Sequence, residues 1–484
     1  MKRFHSCLLF LLLLPATTLA QEIPYFTNDF PPEEFAQRRA KVYDAIGASA
    51  VAVLQGAPSP AGYVRFRQTN EFYYLTGIEV PHAYLLLDGA RREATLYLPH
   101  RNAGRERGEG KLLSAEDAEE VRKLSGIENV SGSDLLAEHL ARLARGATRQ
   151  IFTPFQPFEG FATSRDLALR GVADIASDPW DGRPSREGAF LHLLRTRFPQ
   201  FELRDLTPAL DQLRLIKSPR ELALIRQATE LSCAAILEAM KSTRPGMMEY
   251  ELDGLAKFIF YRNGAQGEAY YSLIASASNA WYPHYNAGKR RMQDGDFLLM
   301  DFAPDVGYYM SDITRMWPVN GTFNTWQREL YGFYLRSYQA ILKAIRPHVP
   351  AAKIMEEAAA EMDRLLAATR FSKPHHEKAA RAFVENYHRS AKAGRLGHWV
   401  GMATHDVGQT AGPLQPGMVF TIEPALTVPE EKIYIRLEDL IIIHADRAEI
   451  VSLDLPMEID QIEKTMKLDG LLKRYPRLNE KSSQ

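Results

Sequence analysis

Four carboxylates stand inside segments that otherwise read as buried β-strands: Asp301 in FLLMDFAP, Asp312 in YYMSDITRMWP, Glu423 in MVFTIEPAL and Glu438 in YIRLEDLIII. Acids are depleted from strands and almost never buried unpaired. One such acid alone reads as an exposed strand-face residue. Four packed together in an apolar surrounding would repel one another and take up protons unless positive charge compensated them. A fold for this chain therefore has to gather them around cations. Pro304-Asp305-Val306-Gly307 lies between the first two and reads as a turn containing Asp305, which puts Asp301 and Asp312 on neighbouring antiparallel strands facing one pocket. His398 offers a neutral nitrogen ligand, and His405 follows in THDVG. Four carboxylates offset two divalent ions, and one bridging hydroxide leaves the site one unit negative. Hard oxygen donors with a single imidazole favour Mn²⁺ or a similar ion over a thiolate-type zinc site.

The remaining features set the frame for that pocket. A length of 484 residues exceeds one domain of about 100–150, so a large domain and a smaller partner are expected. With 45% hydrophobic and 25% charged residues the composition is that of an ordinary globular protein, which excludes disorder, collagen and coiled coil. Lys and Arg total 59 against 60 for Asp and Glu, so no basic surface points to nucleic acid. Lys2 and Arg3 precede the apolar run Cys7–Leu14 and the small-residue pattern Thr18-Leu19-Ala20, which reads as a signal peptide cleaved after Ala20. The run falls short of the roughly 20 residues needed to span a bilayer, so export without a stable membrane anchor is expected. Cleavage also removes Cys7. Cys233 is left without an intrachain partner, and the exported chain must be held by its core, a metal or oligomerisation.

Periodicity gives a helix over Glu33–Ile46 and strands over Ala50–Leu54, Glu71–Thr76, Ala83–Leu87 and Glu93–Leu98, an α/β texture. Arg101–Gly110 imitates a phosphate loop at Gly110-Lys111, but its glycine spacing is wrong and Leu112 replaces the Ser or Thr, so a solvated loop is expected. The texture changes just before Thr207, where the domain boundary is placed. Ser218, Pro219 and Glu221 have the spacing of a capped helix start, with Cys233 at a core-like position of that helix. A second helix runs from Glu249 to Asn263. Strands follow over Phe297–Phe302, Tyr308–Trp317, Val419–Glu423 and Tyr434–Ile443, interrupted by helices over Gln327–Ile345 and Ile354–Ala368. The stretch Lys464–Gln484 is polar.

The order Asp301, Asp312, His398, Glu423, Glu438 resembles the metallopeptidases of the methionine aminopeptidase and creatinase superfamily. LRLIKSP, RPGMMEYEL, HY at His284 and Tyr285, SDITRMWPVNG, HWVGMATHDVG, PGMVFTIEPAL and IRLEDLIII look like aminopeptidase P and prolidase, and TNEFYYLTGIE resembles the amino-terminal domain of aminopeptidase P. The resemblance implies an α+β fold, a pita-bread catalytic domain over residues 207–465 behind a smaller α/β creatinase-like domain over residues 21–206, with a polar tail from 466. It implies that Asp301 binds one ion only, that Asp312 and Glu438 bridge, and that His398 and Glu423 complete the second ion. It further implies that Glu423 carries the proton from the water to the leaving nitrogen, and that His284 and His405 contact the substrate carbonyls and the oxyanion. Arg436, two positions before Glu438, shares its strand face and either orients Glu438 or meets a substrate carboxylate.

The chain departs from that pattern at one place. Relatives carry a histidine four residues before the metal histidine, whereas Gly394 stands there in GRLGH. The segment Phe371–Lys392, basic and bearing His375, His376 and His388, reads as a solvated loop. The expected activity is removal of the first residue from peptides with proline second, by a homo-oligomer, a dimer or tetramer as the resemblance implies. The competing expectations are a prolidase confined to dipeptides and a metal-free binding protein on the same scaffold.

Overall fold

The strand Ala50–Gln55, nearly all of it fully buried, forms the middle of the first sheet. A computed structural model describes residues 29–160, 163–409 and 412–477. The expected signal peptide lies outside the described residues. In chain order the first part comprises α1 (Pro32–Ile46), β1 (Ala50–Gln55), α2 (Asn70–Thr76), β2 (Tyr84–Asp88), β3 (Glu93–Leu98), α3 (Ala103–Glu109), α4 (Ala118–Ser125), β4 (Asn129–Gly132), α5 (Leu136–Ala144), β5 (Gln150–Thr153), α6 (Arg165–Ser177), α7 (Arg186–Arg197) and β6 (Glu202–Asp205). The six strands make one mixed sheet in the order β4-β3-β2-β1-β5-β6.

Two expectations fail here. Glu71–Thr76 is not a strand but part of α2: the Thr69 hydroxyl accepts from the Phe72 amide at 3.3 Å, and Gly77, at φ +66, closes the helix in the left-handed conformation. Every residue of α2 is buried, so no polar stripe marked the helical period. Arg101–Gly110 is not a loop either. Asn102 caps the exposed helix α3 by accepting from the Arg105 amide at 3.0 Å.

The second part begins with α8 (Thr207–Leu215), α9 (Pro219–Ser242) and α10 (Glu249–Arg262). Ser218 and Glu221 form the expected capping box around Pro219. Next come β7 (Gly267–Glu268), β8 (Leu273–Ser276), β9 (Phe297–Asp301), β10 (Pro304–Val306), β11 (Tyr309–Met310) and β12 (Thr314–Pro318). Three helices follow, α11 (Thr325–Ala344), α12 (Ala351–Ala368) and α13 (Pro374–Ala393). The chain closes with β13 (Val419–Ile422), β14 (Ala425–Val428), β15 (Ile433–Arg436), β16 (Asp439–Ile443), β17 (Ala448–Ile450) and α14 (Ile459–Thr465). Antiparallel sheets β12-β9-β8 and β13-β16-β17 lie at its heart.

Phe371–Lys392 is largely α13 rather than a solvated loop, with one face (Ala380, Phe383, Val384 and Tyr387) buried in the core. Asp305 is a buried residue of β10, and the turn itself falls on Gly307 and Tyr308, both at positive φ. Residues 466–477 pack back onto the body: the Leu471 amide donates to Glu238 at 3.1 Å, and Arg477 Nε to Glu251 at 3.0 Å. Among the described residues no helix is long and apolar enough to cross a membrane.

One apolar cluster joins the two parts, running from Phe35 and Leu75 through Leu215 and Ile225 to Leu440 and Ile441. Across their seam Tyr73 stacks on Tyr308 with ring centres 3.7 Å apart, and Arg67 Nε donates to Asp305 at 2.9 Å.

Candidate metal centre and active site

The four acids occupy ends and breaks of strands, not their interiors. Asp301 is the last residue of β9. Asp312 lies in the gap between β11 and β12, Glu423 just past β13, and Glu438 between β15 and β16. At a break the backbone can leave the sheet plane, so side chains from four strands can turn to one point. Thr314 is paired with Asp301 in the β9–β12 ladder and with Glu438 through two backbone hydrogen bonds of 3.1 and 3.3 Å. This one residue ties the two acid-bearing halves together, and its hydroxyl also donates to Glu438 at 2.8 Å. The neighbouring pair Arg315–Asp439, fully buried at 2.6 Å, faces away from the pocket, with Tyr338 donating to Asp439 at 2.7 Å.

His398 comes from a segment that borders β13. The Thr421 amide donates to the His398 carbonyl at 2.9 Å, and Val400 donates to Val419 at 3.1 Å. Gly397 makes that approach possible, since a Cβ there would lie 1.9 Å from the Thr421 carbonyl oxygen. His398 Nδ1 stands 3.2 Å from the Trp399 carbonyl, which fixes the proton on that nitrogen and leaves Nε2 free for the pocket. Nε2 lies 3.4 Å from Asp312, 3.2 Å from Glu423 and 3.9 Å from Glu438. Asp301, Asp312 and Glu438 each place an oxygen within 4.8 Å of the other two, as do the donor atoms of His398, Glu423 and Glu438, and those of Asp312, His398 and His405. All five expected ligands therefore meet.

The electrostatics of this cage call for cations. Burial pushes Asp301 up to about 7 against the pull of Arg436. Burial, Asp312 and Glu423 drive Glu438 well above the usual carboxylate range. Burial opposes a charge on His398, but hydrogen bonds to Asp312 and Glu423 outweigh it and raise its pKa. Burial would raise Glu423 too, yet His398 and Arg436 hold it down to about 2. Glu438 Oε1 is buried with no hydrogen-bond partner. An orphaned oxygen among three more carboxylates and one correctly turned imidazole fits a site for divalent metal ions.

His405 lies beside His398, ring centres 3.9 Å apart, and burial with the nearby His398 lowers it to about 4. Its amide donates to the Thr163 carbonyl at 3.2 Å in a parallel bridge to Ser164, so the first part of the chain supports this side of the pocket. His284 is an exposed residue whose charge reaches His405. Arg436 donates to Asp301, to Glu423 at 3.1 Å and to Thr314 at 3.1 Å, and stands 3.8 Å from Glu438. It is engaged with the cage and not aimed at a substrate. His388, on the exposed side of α13, pairs with Asp363 at 3.0 Å. Gly394, at φ +63, is the left-handed cap that ends α13, which accounts for a glycine at that position.

Tyr270 was not expected. Its buried hydroxyl stands 2.5 Å from Asp301 and 2.6 Å from Asp312 and holds both carboxylates with one proton. A tyrosine beside a strand is too common for the sequence to single it out.

The model of metallopeptidase family M24 matches residues 223–445, and that of the aminopeptidase P N-terminal domain matches residues 35–152. The second part of the chain therefore carries an M24-type metallopeptidase domain and the first part an aminopeptidase P-type N-terminal domain. An Escherichia coli (strain K12) Xaa-Pro aminopeptidase is 29% identical over 458 residues, covering 91% of this chain and 98% of the relative. The human Xaa-Pro dipeptidase is 29% identical over 424 residues, 80% of this chain and 78% of its own. Among solved structures, aminopeptidase P from E. coli with the inhibitor Pro-Leu superposes with a TM-score of 0.73 at 26% identity, covering 90% of this chain and 98% of that one. Proline aminopeptidase P II from Yersinia pestis gives 0.73 at 29%, covering 90% and 100%. The matched domains and these solved structures give the chain an α+β pita-bread domain behind an aminopeptidase P-type first domain.

Proposed function

We propose that this chain is an exported dinuclear metallo-aminopeptidase that hydrolyses the bond between a first residue and a following proline. The observation that carries the reading is the convergence of Asp301, Asp312, His398, Glu423 and Glu438 on one pocket with the buried Glu438 Oε1 left unpartnered. The E. coli and Y. pestis relatives support the substrate class. Two divalent ions, Mn²⁺ by the hardness of the donors, would be held by these five residues. Such ions would supply a bound water of lowered pKa and polarise the scissile carbonyl.

The chain's own groups do the rest. Glu423 is the most open of the four acids, its side chain 27% exposed against 1–6% for the others, so it alone can both reach the pocket ions and meet a substrate. Held ionised by His398 and Arg436, it accepts the proton of the nucleophile and delivers it to the proline nitrogen, which has no hydrogen of its own and must be protonated to leave. His405, stacked beside His398, and the exposed His284 would donate to the carbonyl oxygens as charge develops on them. Tyr270 and Arg436 hold Asp301 and Asp312 in place.

The human dipeptidase relative favours a second reading, cleavage of Xaa-Pro dipeptides alone. A panel of peptides with proline or alanine in second place, two, three and five residues long, assayed with and without Mn²⁺, tests both. Metal-dependent release of the first residue from the longer proline peptides is expected, and turnover restricted to dipeptides would establish the prolidase reading. A purified protein with no bound divalent ions and no hydrolysis after Mn²⁺ addition would establish the binding protein.

A further inference from the structure

A second group of metal-ligating side chains lies at the far end of the β14–β15 hairpin. The base of that hairpin presents Glu423 and Arg436 to the pocket. Its tip, the short turn Pro429–Glu431, reaches the start of α13, about 13 Å of strand away. There the two oxygens of Glu431 divide between two imidazoles: Oε1 is 2.6 Å from His375 Nε2 and Oε2 is 3.3 Å from His376 Nε2. The three donor atoms all lie within 4.8 Å of one another.

His376 is the informative member. Its side chain is fully buried, and each of its ring nitrogens faces a carboxylate: Nδ1 is 2.9 Å from Glu329 of α11 and Nε2 faces Glu431. A neutral imidazole has one N–H to give. With Nδ1–H donated to Glu329, a neutral ring points the Nε2 lone pair at an acid, a repulsive contact in a buried place that either a second proton or a metal ion between them relieves. Carboxylate, histidine and metal in a row is the usual arrangement around a ligating imidazole. Lys373 Nζ, 2.6 Å from Glu431 Oε1, supplies part of the positive charge, but it touches neither His376 nitrogen in these contacts and its stem is 43% exposed and free to swing aside. The neighbouring Glu430 is engaged by Lys378 at 3.1 Å. A tetrahedral ion with bonds of about 2.0–2.1 Å holds its ligands roughly 3.3 Å apart; the 3.3 Å between His376 and Glu431 matches that spacing, whereas His375, hydrogen-bonded to the other oxygen at 2.6 Å, has to draw back to admit the ion.

We propose that His375, His376 and Glu431 bind one Zn²⁺-type divalent ion, with Glu329 orienting His376, and that this ion fastens the hairpin tip to α11 and α13. Two imidazoles and one carboxylate suit a borderline transition ion, unlike the oxygen-rich pocket at the hairpin base. The open side of the site leaves a fourth position for water.

The full chain, saturated with Mn²⁺ and freed of excess, is titrated with Zn²⁺ in competition with a chromophoric chelator, and its metals are counted by mass spectrometry. The parent is expected to keep one more equivalent of Zn²⁺ than His375→Ala, a change at a partly exposed side chain. Glu329→Gln is expected to keep the same number with affinity roughly 10–100-fold weaker. Zn²⁺ raises the melting temperature of the parent more than that of His375→Ala. Equal Zn²⁺ counts in the parent and His375→Ala overturn the proposal, whether or not the chain proves to be a peptidase, since the readout is stoichiometry and not turnover.

Discussion

Among the cage acids, exposure divides the work. Glu423 combines an open face with a lowered pKa, whereas Asp301, Asp312 and Glu438 are sealed. Glu423→Gln should therefore lower kcat on a proline tripeptide by about 10²–10⁴, the usual loss when a proton carrier is removed. Steady-state kinetics with metal content monitored in parallel checks this, because the change also touches a ligand. Tyr270→Phe should keep the fold and cost about 1.5–3 kcal/mol in urea denaturation, the range for a hydrogen bond to a charged group, with weaker Mn²⁺ retention. The acids and His398 were legible in the sequence because a charge in an apolar strand is an anomaly that only a counter-charge resolves. Tyr270 was not, since a phenol in such a place is ordinary. Arg436 was half legible: the face it shares with Glu438 followed from strand alternation, but its grip on Asp301 and Glu423 depends on how β15 meets β9.

Strand segments were found where the period of two was clean, yet their breaks were not. Tyr308–Trp317 and Tyr434–Ile443 read as continuous runs, while the chain interrupts them at Asp312 and Glu438. Hydrophobicity does not fall at these breaks, because Ile313 and Leu437 are as buried as the strands around them. The same blindness turned the wholly buried α2 into a strand. The basic composition of α13 hid its helical face until Phe383 and Tyr387 were seen packed inside. At this scale the tightest contact is Gly397 against β13. Gly397→Ala forces its methyl onto the Thr421 carbonyl and should cost about 1–3 kcal/mol, as overpacking does, while shifting His398 from the cage. Thermal unfolding and the retained metal together would register both effects. Gly394→Ala is expected to cost about 1–2 kcal/mol through the left-handed cap alone, leaving metal content unchanged.

Across the whole molecule, the seam between the two parts carries a buried charge network that periodicity could not reveal. Arg214 donates to Glu71 at 2.9 Å, to Glu159 at 3.2 Å and to Asp406 at 2.6 Å, and Arg165 binds the same two glutamates. Arg214→Ala leaves three acids without this partner and should destabilise the fold by about 3–5 kcal/mol, read by urea denaturation. The network also sets a pH dependence. Burial and the adjacent Glu159 push Glu71 up to about 7 from an ordinary 4.5, so the folded chain keeps a proton that the unfolded chain releases. Stability contributed by this group falls as pH rises from about 4.5 to 7, and Glu71→Gln should remove that fall. Glu159, lowered to about 2 because Arg214 and Arg165 outweigh its burial, contributes in the other sense: its share is full above about 4.5 and is lost as the solution is acidified toward 2.

Asp406 of this network is the residue next to His405, whose own amide is tethered to Thr163 on the far side of the seam. The half that carries the carboxylate cage thus has an external prop beside His398. A shortened chain starting at α8 would keep every cage residue and still be left with a sagging wall, so in this molecule the front portion is no detachable accessory.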